Sequence, residues 1–168
     1  SKSGDTIDAP NVTGLRCDFA SPDGTAAVVD QVVKDHPDIS VLINNAAVLS
    51  PTPLVMMSDA DIVNQVTVNL MAPMLLTKRV LKAMMRRRSG RILNMISMSH
   101  RLCKRGDSVY AATKAGAEAM MKAWADEIES TAMRVSVLDP GRMRTAMRGQ
   151  AFPGEDPETV PHPSELAP

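Results

Sequence analysis

The chain has 168 residues, 44% apolar and 23% charged, which suits one globular domain spanning 1–168 and excludes a disordered or fibrous chain. Nineteen Lys and Arg balance nineteen Asp and Glu, so there is no global positive field of the kind that draws a protein onto DNA or RNA, and no nucleic-acid partner is expected. Two cysteines without a C-x-x-C pattern, no N-terminal signal segment and no apolar run of spanning length set the expectation of a soluble protein in the reducing cytoplasm, away from membranes.

Residues 1–11 are polar and rich in turn formers, and read as a loop or frayed terminus. Val12–Phe19 reads as a short strand closing at Asp18. Apolar Ala26, Val29, Val32 and Val33 then recur at helical spacing, which predicts a helix over Asp23–His36 stopped by Pro37. Ser40–Ile43 is a continuous apolar run, the pattern of a strand buried on both faces, and it empties into Asn44-Asn45. Ser58 followed by Asp59 and Asp61 starts a helix that runs through Met71, Leu75 and Leu81 to Arg86-Arg87-Arg88. Those arginines suit the negative end of the helix dipole and read as a solvated face rather than a nucleic-acid patch. Arg91–Ile96 is the next strand, Ser108 caps a helix over Val109–Glu129, and Arg134–Leu138 is a strand running into Pro140-Gly141. The tail from Gly149 to Pro168 carries five prolines and reads as an extended loop. Strands alternating with helices imply right-handed parallel crossovers, hence an α/β fold: a Rossmann-like three-layer sandwich around a parallel sheet. With one Tyr, one Trp and two Phe against thirteen Met, the core must be built from Met, Leu, Val, Ile and Ala, and the pairs Met56-Met57, Met84-Met85 and Met120-Met121 read as filler for it.

In an open parallel sheet, ligands sit outside the carboxyl ends of the strands. The residues following each apolar run are polar or small: Asp18, Asn44-Asn45-Ala46-Ala47, Ser97 with Ser99, and Pro140-Gly141. Tyr110 begins a helix and Lys114 follows four residues later, so both share a face. A nearby ammonium and the positive end of a helix would favour the phenolate and tune Tyr110 for acid–base work. Taken alone, the pair more often marks an ordinary amphipathic helix than a catalytic site. His36, His100 and His162 lie in different segments without acidic ligand spacing, so no metal site is expected.

Ser97, Tyr110 and Lys114 in this order resemble the Ser and Tyr-x-x-x-Lys signature of the short-chain dehydrogenase/reductase family. Asn44-Asn45-Ala46-Ala47 resembles its Asn-Asn-Ala-Gly motif, with Ala47 adding a methyl group beside the cofactor path. Val68-Asn69 resembles its catalytic Asn, Pro140-Gly141 through Thr145 its Pro-Gly motif with a cofactor-contacting Thr, and Asp18 the Asp that flanks adenine. The resemblance runs from about residue 12 to 147. Phe152–Pro157 also looks like the tail of one bacterial subgroup.

The resemblance implies hydride transfer between NAD or NADP and a small-molecule alcohol or carbonyl. Tyr110 would exchange the proton on the substrate oxygen, Ser97 would hydrogen-bond that oxygen, Lys114 would hold the ribose and lower the Tyr110 pKa, and Asn69 would anchor a water behind Lys114. Cofactor contacts would come from Asp18, Asn44, Asn45, Ala46, Lys114, Pro140, Gly141 and Thr145. A homo-oligomer would form through the 58–88 and 108–130 helices, with Met71, Met74, Met120 and Trp124 contributing. The family's Gly-rich pyrophosphate loop has no counterpart among the nine glycines. In family terms the sheet is cut short at both ends, as in a fragment of a longer protein or a truncated form that closes the gap by new pairing or exchange between copies. Two functions follow: an NAD(P)-linked oxidoreductase, or a non-catalytic remnant that keeps the Ser-Tyr-Lys site and cannot hold a dinucleotide.

Overall fold

The computed structural model describes residues 10–166. Three strands form one parallel sheet in sequence order: β1 (Val41–Asn44), β2 (Arg91–Met95) and β3 (Arg134–Leu138). Leu42 lies opposite Ile92 and Ile92 opposite Val135, so one register carries apolar residues across all three strands. Those residues face the helices. The core joins Val29 of α1 (Pro22–Asp35), Val80 and Met84 of α3 (Ala72–Arg87), Ile92, and Met121 of α5 (Ser108–Glu127), with Leu42 and Val135 packed against it. Met84 is fully buried. A thioether of that size contributes about 1.5–3 kcal/mol by burial and fills irregular space where aromatic rings are scarce. In each expected Met pair one member goes inward: Met57, Met84 and Met121 are buried, whereas Met56 and Met85 face solvent.

The helices begin as their sequences dictate. Ser21 accepts a hydrogen bond from Gly24 N at the start of α1, and Ser58 accepts from Asp61 N at the start of α2 (Asp59–Val66). The helix expected over 58–88 is continuous, but a π turn at Thr67–Met71 separates α2 from α3, and Arg88 closes α3 in the left-handed conformation. At α5 the expected cap is displaced: Ser108 is the first helical residue and Asp107 the N-cap, without a side-chain cap bond.

Three expectations are corrected. Val12–Phe19 is not a strand: residues 12–18 are irregular and end in a turn at Phe19-Ala20. A strand needs a neighbour for its backbone groups, and the described sheet ends at β1, which pairs only with β2. Nor is the 40–43 run buried on both faces. Val41 is 52% and Ile43 57% exposed, because the helices packed on the sheet cover the opposite face and β1 is an edge strand. Of the three layers expected, the described residues thus build the sheet and one helical layer. The tail is not extended either. It begins inside α6 (Ala146–Ala151), turns helically at Pro157–Thr159 and Pro163–Glu165, and buries Val160. Arg144 N donates to Pro161 O at 2.8 Å, and ion pairs Arg144–Glu158 and Arg148–Glu155 hold it down. Residues 1–9 and 167–168 of the two expected terminal loops lie outside the described residues.

Candidate active site

Each strand of a parallel sheet delivers its last residue to the same edge, and here those ends open into a cleft. β2 carries the chain to Ser97, whose hydroxyl accepts from Ser99 N and donates to Ser99 Oγ, both at 3.2 Å, closing a tight turn. α5 then presents Tyr110 and Lys114 one turn apart, both buried. A cavity of about 460 Å³ is lined by Ser97, Tyr110 and Lys114 together with Asn45, Ala46, Pro140, Gly141 and Thr145. A second cavity, about 730 Å³, is lined by Asp18, Phe19 and Asn64 and shares Ala46 and Ala47 with the first.

The local backbone explains these placements. Asp18 accepts from Ala20 N at 3.0 Å in a turn that leads into α1 and holds it at the mouth of the larger cavity. Gly141 has φ +69° with its N–H bonded to Asp139 Oδ1 at 3.0 Å, a turn that a side chain would strain. Thr145 caps α6 by accepting from Arg148 N.

Burial, rather than charge, dominates the electrostatics. Lys114 donates to Met95 O at 2.8 Å, and its Nζ lies 5.6 Å from the Tyr110 ring centroid. Desolvation lowers its pKa to about 8. Tyr110 moves the other way. Burial raises it above the ordinary phenol value, the Ser97 hydroxyl pulls it back, and Asp107 and Asp139 push it further up. The expected drift toward phenolate is therefore reversed: the buried phenol keeps its proton at neutral pH.

Two expected site residues line neither of these cavities. Asn44 is buried and donates to Thr77 Oγ1 at 3.1 Å, beneath α3. Asn69, in the π turn, grips the Val48 backbone from both sides, accepting from Val48 N and donating to Val48 O at 2.8 Å, with Thr113 Oγ1 at 3.4 Å. Its amide is spent on holding the loop after β1 in place. The sequence also gave no sign of the apolar side of the smaller cavity, made by Leu49, Met143, Met147 and Phe152. Three of these lie beyond β3 in or beside α6, where no periodic pattern marked an element. Phe152 is flanked by Arg148 at 4.7 Å from its centroid, and Arg148 is paired with Glu155 at 2.5 Å. Among the described residues no group of three or more His, Cys, Asp or Glu gathers for a metal, and no helix is long and apolar enough to cross a membrane.

The family model for short chain dehydrogenase matches residues 3–156. Among curated proteins the chain is 31% identical to the 2-dehydro-3-deoxy-D-gluconate 5-dehydrogenase of Formosa agariphila, over 79% of this chain and 50% of that protein. It is also 31% identical to the 3-oxoacyl-(acyl-carrier-protein) reductase FabG of Escherichia coli, over 82% of this chain and 56% of the relative. The chain thus spans about half the length of these relatives. Among solved structures, a short chain dehydrogenase from Salmonella enterica serovar Typhi superposes with a TM-score of 0.83 at 26% identity, covering 92% of this chain and 66% of the other. A putative short chain dehydrogenase from Escherichia coli CFT073, complexed with NADPH, gives 0.82 at 26% identity, over 90% of this chain and 64% of the other.

Proposed function

The chain belongs to the short-chain dehydrogenase family, and from that premise we propose that it forms the catalytic part of an NAD(P)-linked oxidoreductase acting on a small alcohol or carbonyl compound. The observation that carries this reading is the convergence of Ser97, Tyr110 and Lys114 on one cavity, with Asn45, Ala46, Pro140 and Gly141 on its walls.

The residues suit the nicotinamide end of a dinucleotide. The cavity has room for a ring and a ribose, and Lys114 offers an ammonium at its floor. Asp18, at the neighbouring cavity that shares the Ala46-Ala47 wall, suits the adenine end. When bound, the nicotinamide supplies or accepts the hydride. The protein manages the proton. Tyr110, held neutral by burial, is a proton donor beside the substrate oxygen, and the Ser97 hydroxyl donates to the same oxygen as negative charge grows there. Lys114 stands behind Tyr110 and stabilises the phenolate left after transfer. Asn69 acts indirectly, by fixing the loop that forms one cavity wall. Leu49, Met143, Met147 and Phe152 favour a substrate with an apolar portion. Met71 and Met74, exposed along α3 and the π turn before it, are available for contact with a second copy.

Tyr110→Phe tests the reading. In whichever length of the protein turns over, the variant should lose at least about a hundredfold in kcat while binding dinucleotide as before, because only the proton donor is removed. Steady-state turnover beside a fluorescence titration measures both. Turnover equal to wild type would overturn the assignment and favour a non-catalytic role for the site.

A further inference from the structure

Ser97 is held from behind by a residue that lines neither of the two cavities. His100, on the short helix α4 (Ser99–Leu102), turns its ring back so that Nδ1 meets the Ser97 carbonyl oxygen, beside a bond of 3.4 Å from the His100 backbone N–H to the same oxygen. Its Nε2 lies 2.7 Å from Glu118 Oε2, and the two side chains are only 8% and 13% exposed. Glu118 is on α5, four residues beyond Lys114 and eight beyond Tyr110, on the helical face that carries both. Lys122 Nζ sits 2.8 Å from the Glu118 carboxylate and Arg101 3.9 Å from it. One imidazole therefore spans from the end of β2 to α5.

The chemistry of the partners fixes the ring. A peptide carbonyl only accepts, so Nδ1 carries a hydrogen in every state that keeps this contact. Nε2 then has two uses: protonated, it donates to Glu118; unprotonated, it accepts from Arg101 Nε at 3.1 Å. Both leave the grip on Ser97 intact, and the first alone makes the bond to Glu118 that reaches α5. We propose that His100, anchored by Glu118, is a positioning residue that fixes the Ser97 turn against the helix bearing Tyr110 and Lys114. The part Ser97 plays in turnover rests on the oxidoreductase reading above; the strut itself rests on the contacts alone. Without it the turn keeps its internal Ser97–Ser99 bonds and loses its tie to α5.

The test has two arms. Nitrogen-detected NMR of the 168-residue chain labelled in histidine, with His100 assigned by substitution, should show Nδ1 protonated from acidic to mildly alkaline pH. An Nε2–H tautomer with a bare Nδ1 would overturn the proposal. In the form that turns over, His100→Ala should lower kcat roughly tenfold with KM for the dinucleotide changed less than about twofold. Glu118→Ala, which cuts the tie to α5, should lose a similar amount, and Glu118→Gln, whose amide oxygen still accepts from Nε2–H, should retain most of the wild-type kcat. No loss in His100→Ala, or equal loss in Glu118→Ala and Glu118→Gln at matched melting temperature, would also overturn it. Tyr110→Phe run alongside separates the two ideas: wild-type turnover in that variant sinks the oxidoreductase reading whatever the NMR shows, whereas a bare Nδ1 sinks the strut even when Tyr110 proves essential.

Discussion

Lys114 points its ammonium at a peptide carbonyl and an aromatic ring, and neither contact offsets the water it has given up, so its pKa falls from 10.5 to about 8. In the unfolded chain the same amine keeps its ordinary value. Between pH 8 and 10.5 the unfolded state thus binds more protons than the folded one, and stability attributable to Lys114 rises with pH across that window. Below pH 8 the full cost of burying the charge is present, on the order of 3 kcal/mol. Lys114→Met removes this titration and leaves Met95 O without its donor, an offset of about 1 kcal/mol that does not vary with pH. The variant should therefore be the more stable protein near neutrality, with its advantage shrinking toward pH 10.5. Urea unfolding of both proteins at neutral and alkaline pH measures this, and a constant difference between them would contradict the burial account. The Tyr-Lys spacing was plain in the sequence, yet the sign of the Tyr110 shift was not. Position on a helix can be read from spacing; the desolvation that raises the phenol depends on what packs over the ring.

The connection between α3 and β2 shows how tightly the elements are fitted. A Cβ built on Gly90 would lie 2.3 Å from Met84 Sδ and 2.6 Å from Met84 Cγ, and Met84 has no exposed surface into which to retreat. Gly90→Ala should therefore cost about 1–3 kcal/mol, the usual range for overpacking a filled core, with no change in the cavity residues. A thermal melt lowered by less than a degree would show that the Met84 side chain has an alternative rotamer. This close approach was invisible beforehand, because nothing in the order of residues says which side chain faces a given glycine. Amphipathic helices were legible since their apolar stripe repeats along the chain: α1 and α5 begin and end within two residues of their expected bounds. Strands β2 and β3 were legible for the same local reason. Val12–Phe19 was misread because a strand is a property of a pair, and apolar composition alone does not supply the partner. The π turn at Asn69 and the helical turns of the tail arise from tertiary contacts, with Val48 in one case and with Arg144 and Arg148 in the other.

At the scale of the whole molecule, parallel order and strand-end convergence place the two cavities side by side along one edge of the sheet. What a dinucleotide demands between its two rings is different. A pyrophosphate carries two negative charges and is usually met by backbone N–H groups at a glycine-lined helix start. The glycines of this chain are scattered, and each helix start beside the cleft has an N–H already taken by its own cap: Ser21 takes one of α1, and Thr145 takes one of the brief α6. Arg148 is committed to Glu155, and Lys114 to Met95 O. The remaining contacts, from Arg16 and Asp18 in the larger cavity and from Asn45, Tyr110 and the free donors of Lys114 in the smaller, must overcome an association cost of roughly 4–15 kcal/mol for a long flexible ligand. The 168-residue chain by itself should therefore bind NAD(H) or NADP(H) only weakly, with no saturation in the low-micromolar range. Calorimetric titration with each reduced and oxidised dinucleotide decides it, and low-micromolar binding of any of them would mean that the Asn45–Ala47 loop or the turn before α1 cradles the phosphates instead.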